Sequence, residues 1–190
     1  MEAPKDLAKR IVQRAVHFAG LYETANNAAW DDPTIPGPDP RERELIDALR
    51  EVGWASPQPY CMALVAATYR AAYEAGGAPP EAMRRVRQAL TLSAMQSWER
   101  CEALATKRPE PGAVFFMQLG SSWKGHAGIV IRPGNPVFST VEGNTSAAKT
   151  TAQHDRDGDG IFCRTRRLDF GKSRGLWLRG FLPPDALWEG

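Results

Sequence analysis

The sequence predicts an α+β fold, and a change of periodicity near residue 108 carries that prediction. Apolar residues recur at steps of three and four up to that point and alternate after it. The alternating segments are joined by turns too short for βαβ crossovers, which calls for an antiparallel sheet after a run of helices. At 190 residues, 43% hydrophobic and 24% charged, the chain is expected to form one domain with a substantial core. That domain, 1–190, is helical over about 1–108 and β over about 109–190.

The first helix is read from Pro4 to about Gly20, with Leu7, Ile11, Ala15 and Phe18 on one face. A polar loop from Tyr22 to Arg41 follows; its four prolines between Pro33 and Pro40 exclude helix and central strand. Helical spacing resumes from Arg41 to about Val52 and breaks at Gly53. A largely apolar helix then starts at Cys61, after Pro57 and Pro59, and runs to Gly76. Residues Ala78 to Ala105 hold one or two more helices, with Trp98 and Leu104 as core contacts. Five strands complete the chain: 113–117, 125–131, 137–142, 160–167 and 176–181.

Composition excludes several classes of function. A net charge of +2 makes no case for nucleic acid as a partner. No apolar run approaches the roughly 18–20 residues of a membrane span. The N-terminus lacks the basic and apolar regions of a signal peptide. The expectation is a monomer made in the cytoplasm. Cys61, Cys101 and Cys163 are too few and scattered for a disulfide framework or a zinc site.

Chemistry concentrates on Cys61. A thiol in the first helical turn feels the positive end of the macrodipole, which favours the thiolate. Such a nucleophile needs a base, and the hairpin of the second and third strands offers one. If its register is symmetric about Gly134, His126 faces Glu142 directly, and a carboxylate there orients the imidazole. Asn144 has the same parity and is the alternative orienter. Tyr60 and Trp54 are candidates to line a substrate groove, with packing as the other reading of Trp54, and Gln58 is a candidate oxyanion donor. Asp155, Asp157 and Asp159 open like a calcium loop, but Arg166 stands where the bidentate glutamate belongs. A polar turn is therefore expected, and no cofactor or metal. Arg164, Arg166 and Arg167 read as a solvated strand edge or a contact for an anionic polymer.

Pro59-Tyr-Cys-Met-Ala-Leu-Val65, Pro111-Gly-Ala-Val-Phe-Phe116, His126-Ala-Gly-Ile-Val130 and Val141-Glu-Gly-Asn-Thr145 occur in the order and rough spacing of a known family. From about residue 7 to about residue 182 the chain resembles the CHAP family, cysteine, histidine-dependent amidohydrolases/peptidases related to NlpC-type cell-wall peptidases. The resemblance implies a papain-like fold, with the cysteine helix packed on a sheet of about five strands that carries the histidine. It implies hydrolysis of peptidoglycan amide bonds, with Cys61 as nucleophile, His126 as base, Glu142 as its orienter and Asn144 as a further site residue. Some members bind calcium through acidic residues before the cysteine; here Gly53 to Tyr60 has none. The expected function is thus an amidase or endopeptidase of endolysin or antibacterial type, with an immunity partner if it is a secreted toxin. The alternatives are a papain-like thiol acyltransferase or deamidase acting on a protein, and a catalytically silent wall-binding module.

Overall fold

In the computed structural model, residues 2–22, 39–56, 58–145 and 160–189 are described. Among these residues five α-helices precede five strands: α1 (Leu7–His17), α2 (Pro40–Glu51), α3 (Cys61–Ala75), α4 (Pro80–Ala89), α5 (Ala94–Cys101), β1 (Val114–Leu119), β2 (Gly125–Arg132), β3 (Val137–Thr145), β4 (Gly160–Arg167) and β5 (Leu176–Leu182). The expected α+β class and antiparallel sheet are both present, with strands ordered β4-β3-β2-β1-β5. Most of the proline-rich loop lies outside the described residues.

Local chemistry accounts for the helix starts. Asp39 caps α2 by accepting from the Arg41 N–H at 2.9 Å, and Pro40 follows where a missing N–H costs nothing. Pro80 plays the same part for α4, and Ser93 caps α5 by accepting from the Gln96 N–H. No side chain caps α3. Its first-turn N–H groups are left for something else, which matters at the site below.

α3 is buried along most of its surface and rests on β2 and β3, as its alanine-rich composition leads one to expect. Two phenols fix its far end to the β half: Tyr69 donates to Gly112 O at 2.8 Å and Tyr73 to Pro184 O at 2.9 Å. Trp98 packs edge-on to Phe116, as expected. Leu104 does not join the core. The α-helix stops at Cys101 and tightens into a 3-10 turn over Glu102–Leu104, which swings Leu104 outward to 46% exposure.

The sheet is buried on both faces. Val114, Phe116, Ala127, Ile129 and Val141 belong to the core shared with the helices. Phe115, Phe138 and Phe181 belong to a second cluster, against which Leu168 and Phe170 pack. Phe138 and Phe181 touch at 5.2 Å between ring centroids, although β3 and β5 are three strand spacings apart. In a flat sheet that is about 14 Å, so the sheet curls and these rings line its concave side.

Candidate active site

The site begins where two strands part. Val130 donates its N–H to Ala113 O, so by ladder alternation the N–H groups of Ala127 and Ile129 face β3. The pairing of β3 with β2 reaches only to Ile129–Val141. Beyond it, Asn144 takes a left-handed φ of 55° and the β3–β4 register shifts between Glu142 and Thr145. An irregularity of this kind bends a strand, and asparagine tolerates that backbone better than most residues. The first turn of α3 lies against β3 here. A Cβ on Gly143 would lie 3.1 Å from Leu64 Cδ2 and from the Tyr60 ring, so its glycine permits this approach.

The Cys61 sulfur sits at this uncapped first turn, near the His126 imidazole and the backbone N–H groups of Ala127 and Met62, which all favour its ionised form. His126 Nε2 lies 2.8 Å from Glu142 Oε2. A carboxylate only accepts, so Nε2 carries a proton and Nδ1 is the nitrogen turned to the thiol. Cys61, His126 and Glu142 are 9%, 8% and 0% exposed.

Glu142 is held from three sides. Besides His126 it accepts from Thr140 Oγ1 at 2.5 Å and from Arg166, whose Nε lies 2.8 Å from Oε1 while Nη2 donates to Oε2. These groups set the charges. Burial pushes the Glu142 carboxyl upward, but Arg166 and His126 together hold it well below the usual carboxylate range. Burial pulls His126 down, yet its bonds to Cys61 and Glu142 and their negative charge raise it to about 9. Burial pushes the Cys61 thiol up, and the bond and charge of His126, with the two backbone N–H groups, bring it below its ordinary value. Both shifts act in one direction, toward a thiolate beside an imidazolium.

The hairpin register differs from the expected one. Pairs Ile129–Val141 and Val130–Thr140 place the turn's centre at Asn135 rather than Gly134, and a bulge falls between Val130 and Arg132. Continued along the strands, this register sets Gly128 opposite Glu142 and His126 opposite Asn144. The shift is two residues, so parity survives and His126 and Glu142 share a face. They meet diagonally, across a position that has no side chain. A Cβ on Gly128 would lie 2.6 Å from Val141 O and 2.9 Å from Glu142 Cγ. Gly128→Ala is thus expected to displace the carboxylate and destabilise the protein by about 1–3 kcal/mol. Thermal melting together with slower alkylation of Cys61 would show both effects.

Asn144 is buried at the bend in β3, while the histidine's proton goes to Glu142. Tyr60 is buried in the core and lines no groove, and Trp54 is buried as well, in line with its packing reading. Trp54 Nε1 donates to Gln58 O at 2.7 Å, which braces the turn that delivers Cys61. Gln58 itself is exposed. Asp155, Asp157 and Asp159 lie outside the described residues. Among the described residues no group of three His, Cys, Asp or Glu side chains is placed to hold a metal ion, and no helix is long and apolar enough to cross a membrane. Of the arginine cluster, Arg167 is exposed, but Arg166 turns inward to Glu142, so the solvated-edge reading fails for it. Sequence reasoning missed Arg166 and Thr140. The available signal was that a buried carboxylate needs a cation, and the next strand is rich in arginine. In comparison with known proteins, the chain matches no family model, no curated protein and no solved structure.

Proposed function

We propose that this chain is a papain-like cysteine amidase or endopeptidase that cleaves amide bonds in the peptide part of peptidoglycan. One observation carries the reading: a histidine bonded at 2.8 Å to a buried carboxylate, beside a thiol at a helix N-terminus whose ionisation that histidine favours. The ordered CHAP-like motifs add the substrate class, and the cysteine helix on a five-stranded antiparallel sheet fits a papain-like frame. In the reaction, the Cys61 thiolate attacks the carbonyl carbon and its π electrons move to the oxygen. The tetrahedral adduct collapses, the C–N bond breaks and His126 gives its proton to the leaving amine. Water, deprotonated by the now neutral His126, then splits the thioester and returns the thiol. Action at the wall or in the periplasm, after release or delivery, belongs to the same proposal.

Incubating the purified protein with sacculi and weighing the muropeptides tests it. New amines and fragments heavier by one water are expected. Acylation or deamidation of an added protein with intact muropeptides would favour the transferase or deamidase alternative. Sedimentation with sacculi but no amine release under reducing conditions would favour a silent wall-binding module.

The charge states also predict a pH dependence. Hydrolysis should fail on the alkaline side as His126 loses its proton near pH 9, because the leaving amine then has no donor. Stability moves the same way. A histidine raised from 6.5 to about 9 contributes fully below 6.5, and its contribution is lost as the pH rises through 9. Rates and melting temperatures measured between pH 6 and pH 10, about the span of both values, would show the two declines together.

A further inference from the structure

Arg166 has no part in the reaction as written, yet its side chain reaches far to meet Glu142. On the β3–β4 ladder Arg166 stands opposite Phe138, and Glu142 stands opposite Phe162. Four residues along a strand is about 13 Å, so the guanidinium must run diagonally past Thr140 to reach the carboxylate. There it binds as a two-pointed fork, Nε to one oxygen and Nη2 to the other. With Thr140 and His126, this gives the carboxylate four donors.

We propose that Arg166 is a positioning residue of the Cys61 site: its fork keeps Glu142 ionised and turned toward His126, and so lets the buried histidine and thiol hold separated charges. The inference rests on reading Cys61, His126 and Glu142 as nucleophile, base and orienter. Among the described residues, the groups facing the carboxylate include His126 from β2, with the Cys61 thiol beyond it on α3, the Thr140 hydroxyl from β3, and Arg166 from β4, with Arg164 two residues away on the same face. β1 contributes Phe115, which carries no charge.

Without the guanidinium, a fully buried carboxylate loses two donors and its compensating charge. The proton on His126 Nε2 then moves to Glu142, the imidazolium disappears, and the thiolate recovers a proton. Both changes act in one direction: Cys61 ionises at higher pH.

The test follows iodoacetamide alkylation of Cys61 against pH, read on the Cys61 peptide by mass so that exposed Cys163 does not interfere. In Arg166→Gln the midpoint of the profile should rise by about one unit or more, a roughly ten-fold slower reaction below it. Arg166→Lys, which keeps the charge but not the fork, should fall between this variant and the parent. A purely structural role would lower the melting temperature and leave the midpoint in place. Folded variants whose midpoints all lie within about a third of a unit of the parent's would overturn the proposal. Should Arg166→Gln not fold, Arg166→Lys decides alone, because an unchanged midpoint there also overturns it. The parent profile separates this inference from the functional one. A parent thiolate formed below the ordinary range of about 8.5, with no cleavage of sacculi, removes the peptidoglycan assignment and leaves the role of Arg166 intact.

Discussion

Replacing Cys61 with alanine should abolish hydrolysis, by about a thousand-fold or more, while the protein keeps its fold. The sulfur carries the only electron pair in the constellation that can form an acyl-enzyme, and neither His126 nor Glu142 substitutes for it. Stability should change little. The side chain removed is small, and with it goes an ionisable group from a position only 9% exposed. His126 then loses one of the two partners that raise its pKa, so its titration should move down from about 9 while the Glu142 bond remains. Muropeptide release, circular dichroism and the histidine titration form one experiment. Retained hydrolysis in a folded Cys61→Ala protein would end the assignment of Cys61 as nucleophile.

The second large effect lies at Glu142. Glu142→Ala strips the acceptor from His126, Thr140 and Arg166 at once and breaks an ion pair whose carboxylate is fully buried. Breaking a buried pair in this way costs about 3–5 kcal/mol, against a total stability of about 5–15 for a domain. Losing the orienting carboxylate should also slow the reaction on the order of 10²–10⁴-fold, as in other triads. Asn144→Gly is the informative control. Glycine accepts the left-handed backbone of that position, so the bend in β3 survives while the amide is removed. A rate within a few-fold of the parent is expected for Asn144→Gly. A large loss there, with little change in Glu142→Ala, would make asparagine the orienter. Glu142→Gln refines the comparison: with its amide oxygen at the Oε2 position the bonds from His126 and Arg166 Nη2 can survive, while its NH2 meets the Arg166 Nε donor and that bond cannot.

Much of this was legible in the sequence. The change of periodicity after Pro109 located the boundary between helices and sheet, and all five expected strands are present. The position of Cys61 at a helix start, and the shared parity of His126 and Glu142, followed from spacing alone. Leu104 was misread because helical phase was extended past the point where the helix tightens. Tyr60 is expected at a groove, and Trp54 at a groove or in the core, because sequence proximity to a cysteine carries no information on burial.

Periodicity fixes which face a side chain occupies, since a single-residue slip would turn a whole apolar set to water. The sequence by itself therefore determined the α+β class, the helix that bears the thiol and the face shared by histidine and carboxylate. It did not determine register. That depends on where the turn closes and on the bulge before it, and a two-residue shift changes no parity. Only the tertiary structure decided that Glu142 reaches His126 across the bare position of Gly128. Only there does the parting of β2 and β3 leave the Ala127 N–H for the sulfur, and only there does Arg166 reach back from β4 to compensate the carboxylate. Each of these is a contact between distant parts of the chain, formed because a buried donor or charge must find a partner once the strands are in place.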